Sequence, residues 1–171
     1  HETTSNALTF TCELLARNPV IQEKLFAEII EAETSAETLM DFIKNCPFTK
    51  NVIEESLRLF PPAYFIDRVN IEDDEYNGMK IPKKSSLLFS LLEIHTNPKY
   101  WAEPKSFKPE RFSQATANQF SGYYFPFGAG PRMCIGNNFA MYEMILAVTQ
   151  LVNKYKITPV NPKIEILPLI T

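Results

Sequence analysis

Three observations predict a mainly α chain with small β-sheets. Apolar residues recur at helical spacing in long stretches on both sides of the chain's middle. Between Pro61-Pro62 and Leu92 the pattern changes to short β-branched and aromatic runs around an Asn-Gly pair. From Asn97 to Gly122, three prolines and a polar run predict ordered loop with a short helix rather than a long element.

Taken in order, Ala7, Leu8, Phe10, Leu14 and Leu15 share one helical face, so a helix runs from Glu2 to Arg17 and stops at Asn18-Pro19. Pro19 then fits the first turn of a second helix, with Ile21, Leu25, Phe26, Ile29 and Ile30 as its apolar stripe. A short helix is expected within Ser35 to Cys46, and Pro47 opens another whose Phe48, Val52, Ile53, Leu57 and Leu59 lead to Pro61-Pro62. The double proline forces extended chain. Ala63 to Ile71, Tyr76 to Ile81 and Ser85 to Leu92 read as strands, with Asn77-Gly78 as a turn and Pro82 as a boundary. Phe139, Met141, Ile145, Leu146, Val148, Leu151 and Val152 specify a long helix from Ile135 to Tyr155, followed by a β tail containing Pro159, Pro162 and Pro168. There is no internal repeat.

Composition sets wide bounds. The 171 residues are 45% hydrophobic and 22% charged with a net charge of −3, which suits a globular chain with a sizeable core. Lys and Arg are scattered, so nothing points to nucleic acid. Cys12, Cys46 and Cys134 are odd in number, far apart and free of Cys-x-x-Cys spacing, which fits neither a disulfide framework nor a zinc ribbon. A reducing, cytoplasmic compartment is the expectation. No apolar run approaches the ~18 residues of a membrane span. The first residue is His1 rather than Met, so an N-terminal membrane anchor in a longer parent stays open.

The stretch Phe125 to Glu143 raises the chemical question. Cys134 lies ahead of a predicted helix, where free backbone N–H groups and the positive end of the helix dipole favour an anion. Three readings follow: a metal or haem thiolate, a nucleophile, or a small buried apolar residue, the commonest state of a free cysteine. Gly128 and Gly130 permit a tight turn, Pro131 stiffens it, and Arg132 sets a permanent cation two residues from the sulfur. Packing alone does not ask for this arrangement. A nucleophile would want a histidine base, and only His1 and the distant His95 are available. Zinc would want about four ligands at suitable spacing, which are not evident. Haem needs one protein ligand on the iron and cations for its propionates.

The cysteine stretch resembles the proximal loop of the cytochrome P-450 family of haem-thiolate monooxygenases, F-x-x-G-x-R-x-C-x-G, through Phe127, Gly130, Arg132, Cys134 and Gly136. Three further motifs arrive in the family's order. Glu55-Ser56-Leu57-Arg58 matches its E-x-x-R helix, where i and i+3 put acid and guanidinium on one face. Pro109-Glu110-Arg111-Phe112 matches P-E-R-F. His1-Glu2-Thr3-Thr4-Ser5 resembles the distal helix motif in which an acid precedes a threonine. An exposed ion pair would be the plainer account of a bare E-x-x-R; its pairing with P-E-R-F outweighs that account.

The resemblance implies the C-terminal, haem-binding portion of a P-450 domain over residues 1–171, with the N-terminal sheet, most of the distal helix and the substrate lid outside it. It implies haem b with the Cys134 thiolate as axial ligand. Phe127, Gly130, Gly136 and Ala140 would lie around the cofactor, and Arg68 and Arg132 at its propionates. Glu55, Arg58 and Arg111 would form a structural network fixing the cysteine loop. Glu2 and Thr3 would deliver protons during dioxygen activation. Ala63, Tyr64, Phe65, Ile66, Leu169 and Ile170 would face a hydrophobic small-molecule substrate. His95, ahead of Asn97-Pro98 and Trp101, is expected to be a packed or capping histidine and not an iron ligand. With no Gly-x-Gly-x-x-Gly in the chain, electrons would come from an NAD(P)H-linked reductase or a ferredoxin. The His-Glu-Thr-Thr wording and Phe139-Ala140-Met141 look most like bacterial fatty-acid and alkane hydroxylases. The rival readings are a haem-thiolate isomerase or dehydratase, and a haem-binding fragment without turnover.

Overall fold

Proline and capping chemistry set the helix limits. The computed structural model describes residues 2–120 and 122–164. Helix α1 (Glu2–Arg17) ends before Pro19, which is the first residue of α2 (Pro19–Ser35). In α3 (Leu39–Lys44) the Thr38 hydroxyl oxygen accepts the Asp41 N–H at 3.1 Å, so the short helix starts later than Ser35. Pro47 opens α4 (Pro47–Leu59), where Cys46 supplies no side-chain cap. Glu28 of α2 takes that role, accepting the N–H groups of Phe48 at 2.5 Å and Thr49 at 2.8 Å.

Helix α4 is the centre of the molecule: eight of its residues, from Thr49 to Leu59, are buried, including the charged Glu55 and Arg58. It packs against α1, α2 and the long helix α6 (Asn137–Lys154), and Leu15, Leu25, Ile29, Val52, Ile53, Met144 and Val148 form the shared core. Burying such side chains stabilises the fold by about 1.5–3 kcal/mol each. In the predicted stripe of α2, Leu25 and Ile29 are buried while Phe26 and Ile30 face outward.

The β region differs from a single small sheet. Strand β1 (Phe65–Val69) pairs antiparallel with β4 (Ser86–Ser90), with Arg68 opposite Leu87. Strands β2 (Asp74–Tyr76) and β3 (Met79–Ile81) form a separate hairpin, so Tyr76 to Ile81 is a turn with its flanks rather than one strand. Asn77 and Gly78 take φ of +48° and +81° at its tip, which an Asn-Gly pair tolerates. The predicted strand Ser85 to Leu92 stops at Ser90, whose hydroxyl oxygen accepts the Glu93 N–H and starts helix α5 (Leu91–His95). A serine three residues before a glutamate was the overlooked helix signal.

Helix α6 begins at Asn137 rather than Ile135, which is fully exposed. The expected β tail has no strand in residues 155–164; Pro159 and Pro162 remove backbone donors there. Instead, Ile157 exchanges two hydrogen bonds with the Gln22 amide. Pro168, Leu169 and Ile170 lie outside the described residues.

Candidate cofactor site

The site rests on a buried ion network. Arg58 and Glu55 are both 0% exposed. Arg58 Nε donates to Glu55 Oε2 at 2.7 Å and Nη2 to Oε1 at 2.8 Å, a bidentate pair. Its Nη1 donates to the carbonyls of His95 at 2.8 Å and Pro104 at 2.7 Å, and Nη2 also reaches Ser106 at 3.2 Å. All five guanidinium N–H groups are therefore used. Arg111 Nε and the Lys108 N–H complete the shell of Glu55, at 3.2 and 2.9 Å, and Arg111 Nη2 holds the Glu103 carbonyl. The network joins α4 to the Asn97–Gly122 loop, which makes two 3₁₀ turns, at Pro109–Phe112 and Ala117–Phe120.

Aromatic residues seal this joint. Trp101 is buried, lies 4.9 Å from the Arg58 guanidinium and stacks on Phe120 at 4.6 Å. The Tyr124 hydroxyl donates to the Glu54 carbonyl at 2.9 Å, and burial raises its pKa, with Glu54 and Glu55 adding to the effect. His95 is packed, as expected: it is 0% exposed and its Nε2 accepts the Phe125 N–H at 2.9 Å. Burial first, then the Arg58 cation, lower its pKa from 6.5 to about 4, so the ring is neutral near neutral pH.

The cysteine loop is built by its own turns. Gly128 and Gly130 take φ of +75° and +70°, which only glycine adopts readily. A 3₁₀ turn spans Gly130–Arg132, the Met133 N–H donates to Gly130, and the Cys134 N–H donates to the Phe127 carbonyl at 2.9 Å. Gly136 precedes the first turn of α6, and a Cβ there would lie 3.9 Å from Cys134 Sγ. Cys134 is exposed, so the reading of a buried apolar cysteine does not hold for it.

What Cys134 faces is a cavity of about 560 Å³. Sequence-predicted residues that the structure brings to its wall are Thr3, Ala63, Ile66, Arg68, Phe127, Arg132, Cys134 and Ala140. Glu2 is exposed and does not line it; Gly130 and Gly136 shape the loop from behind, and Tyr64 and Phe65 also lie off the wall. The sequence reading missed Thr4, Leu57, Val69, Leu91 and Met144, which sit on helices and strands whose inward faces only packing reveals. Among the described residues, Arg68 and Arg132 form no ion pair with a carboxylate. No three His, Cys, Asp or Glu side chains converge among the described residues, and no described helix is long and apolar enough to cross a membrane.

With the cysteine loop, the buried Glu-Arg network and the cavity in place, comparison with known proteins gives a family. The family model described as Cytochrome P450 matches residues 1–169. The chain belongs to the cytochrome P450 family. It is 40% identical over 161 residues to mouse cytochrome P450 3A11, covering 93% of this chain and 32% of that protein. Rat cytochrome P450 3A18 is likewise 40% identical over 161 residues, and human cytochrome P450 3A5 39% over 160, with the same coverage. The chain thus spans about a third of the length of the curated P450 relatives it matches. These relatives are mammalian, and the finer likeness to bacterial fatty-acid and alkane hydroxylases is not shown.

P450 membership implies haem with a cysteine ligand, and the donor set of the cavity fits it. One thiol stands on the wall, two guanidinium groups share that wall for paired carboxylates, and the remaining lining is mostly apolar.

Proposed function

We propose that this chain is the C-terminal, haem-binding portion of a P450 monooxygenase that inserts one oxygen atom of dioxygen into a hydrophobic organic substrate. Cys134 on the cavity wall is the observation that carries the reading. Cys134 would hold haem, which would supply the dioxygen chemistry, and its thiolate would push the electron density that favours O–O cleavage. The protein's own part is to present Cys134 Sγ at a fixed place, through the Phe127 carbonyl bond and the two left-handed glycines. Arg68 and Arg132 offer the cations for the propionates, and Arg68 is already steadied by its Nη1 bond to the Asp67 carbonyl at 2.6 Å.

Thr3 reaches the cavity with a hydroxyl able to pass a proton. Glu2, one residue away and in solvent, acts as the outer acid, handing protons inward through water. A threonine on the cavity wall favours an oxygenase over an isomerase or dehydratase, which has no use for a delivered proton pair. Ala63, Ile66, Val69 and Leu91 make the wall apolar, which suits a hydrophobic substrate. Electrons come from an NAD(P)H-linked reductase or a ferredoxin.

The test is the carbon monoxide difference spectrum of the reduced full-length protein beside Cys134→Ser. A red-shifted Soret band that the mutant loses is expected. A band unchanged by the substitution would mean that another group holds the iron, and would overturn the reading.

A further inference from the structure

We propose that His95 is the positioning residue through which the buried Glu55–Arg58 pair holds the cysteine loop. The residue faces both ways. Its carbonyl is gripped by Arg58 Nη1 at 2.8 Å, and its ring Nε2 accepts the Phe125 N–H at 2.9 Å, nine residues before the sulfur. From Phe125 the connection continues by backbone bonds: its carbonyl accepts the Gly128 N–H at 3.0 Å, and the Phe127 carbonyl accepts the Cys134 N–H at 2.9 Å.

The ring orientation argues against simple filling. With Phe125 donating to Nε2, that nitrogen presents a lone pair and the ring proton sits on Nδ1. Nδ1 is buried and makes no hydrogen bond of normal geometry among the described residues, although the Arg58 backbone still acts on the ring, so the bond to Phe125 is the ring's direct tie to the loop. Pro126 has no N–H, so beside the Tyr124 hydroxyl, which donates to the Glu54 carbonyl, the Phe125 N–H is the backbone donor that this corner of the loop offers to the His95 ring. The neutral form that this geometry needs is also the one that burial and the Arg58 cation favour.

The proposal rests on the haem-thiolate reading for one of its two readouts only. In the full-length haem-loaded protein, hydrogen exchange of residues 122–134 and the red-shifted share of the carbon monoxide band at equal haem content are compared across His95→Phe, His95→Gln and His95→Asn. Glutamine carries an amide oxygen to the place of Nε2, whereas asparagine reaches only as far as Nδ1. His95→Phe and His95→Asn are expected to speed loop exchange about tenfold, as for one lost hydrogen bond, and to lower the red-shifted share. His95→Gln is expected to restore both.

A packing role predicts the opposite order, with phenylalanine benign and glutamine worst, and that order would overturn the proposal. If His95→Phe does not fold, glutamine against asparagine decides, and equal behaviour of those two would also overturn it. A wild-type protein lacking the red-shifted band would sink the haem-thiolate reading, while the exchange order would still judge His95.

Discussion

Replacing Arg58 by lysine tests the network at its most demanding point. The charge is kept, but five N–H donors in a planar fork become three on a single nitrogen. At least two of the five bonds to Glu55, His95, Pro104 and Ser106 must go. At about 1.5–3 kcal/mol for each bond involving a charged group, the direct loss is about 3–6 kcal/mol. Because the cation survives and Arg111 and Lys108 still serve Glu55, the lower end applies, about 3 kcal/mol. The stacking of a guanidinium on Trp101 is lost as well. Against a total stability of about 5–15 kcal/mol, this is a large share. Urea denaturation of the full-length protein should show the lower midpoint at unchanged slope, and the variant should lose haem. A variant with the wild-type midpoint and full haem would refute the reasoning that the fork geometry, rather than the charge alone, holds the joint.

Three further outcomes are expected. The His95 pKa is depressed from 6.5 to about 4, so as pH falls through that window the unfolded chain takes a proton that the folded one refuses; about 3 kcal/mol of stability, present above pH 6.5, is lost by pH 4. Acid titration of stability should show the drop in wild type and not in His95→Gln, and parallel curves would contradict it. Glu28→Gln keeps one acceptor oxygen where two now serve Phe48, Thr49 and the Thr49 hydroxyl, and should cost about 1–2 kcal/mol in thermal or chemical unfolding. Thr3→Ala should lower product formed per electron consumed while electron consumption persists, and full coupling in that variant would remove Thr3 from the proton path.

How far the sequence could be read depended on the range of each signal. Helices α1, α2 and α4 were legible because periodicity and Pro19 and Pro47 act within a turn or two. The strand-to-helix switch at Ser90 was misread because Leu87 to Leu92 is a continuous short apolar run apart from Ser90, and such a run suits a strand as well as a helix. The Leu91 and Leu92 N–H groups donate to the Tyr64 carbonyl, which lies just before β1 and distant in sequence. In the described part of the tail, residues 155–164, the hydrophobic residues fit a strand, but the prolines left it held by the side chain of Gln22 instead.

By itself the sequence determined the turns of the cysteine loop and the pairing of Glu55 with Arg58, because Gly128, Gly130 and the i, i+3 acid and guanidinium act through fixed local spacing, whereas Arg111 entered only through the family resemblance. The tertiary structure alone decided which partners they meet. Arg58 finds its carbonyls 37, 46 and 48 residues away, and His95 meets Phe125 across 30. It also turned Thr3 onto the cavity wall while leaving Glu2 in solvent. Periodicity reports which face of an element is apolar; burial and hydrogen-bond partnership are set by what packs against that face, and that comes from distant chain.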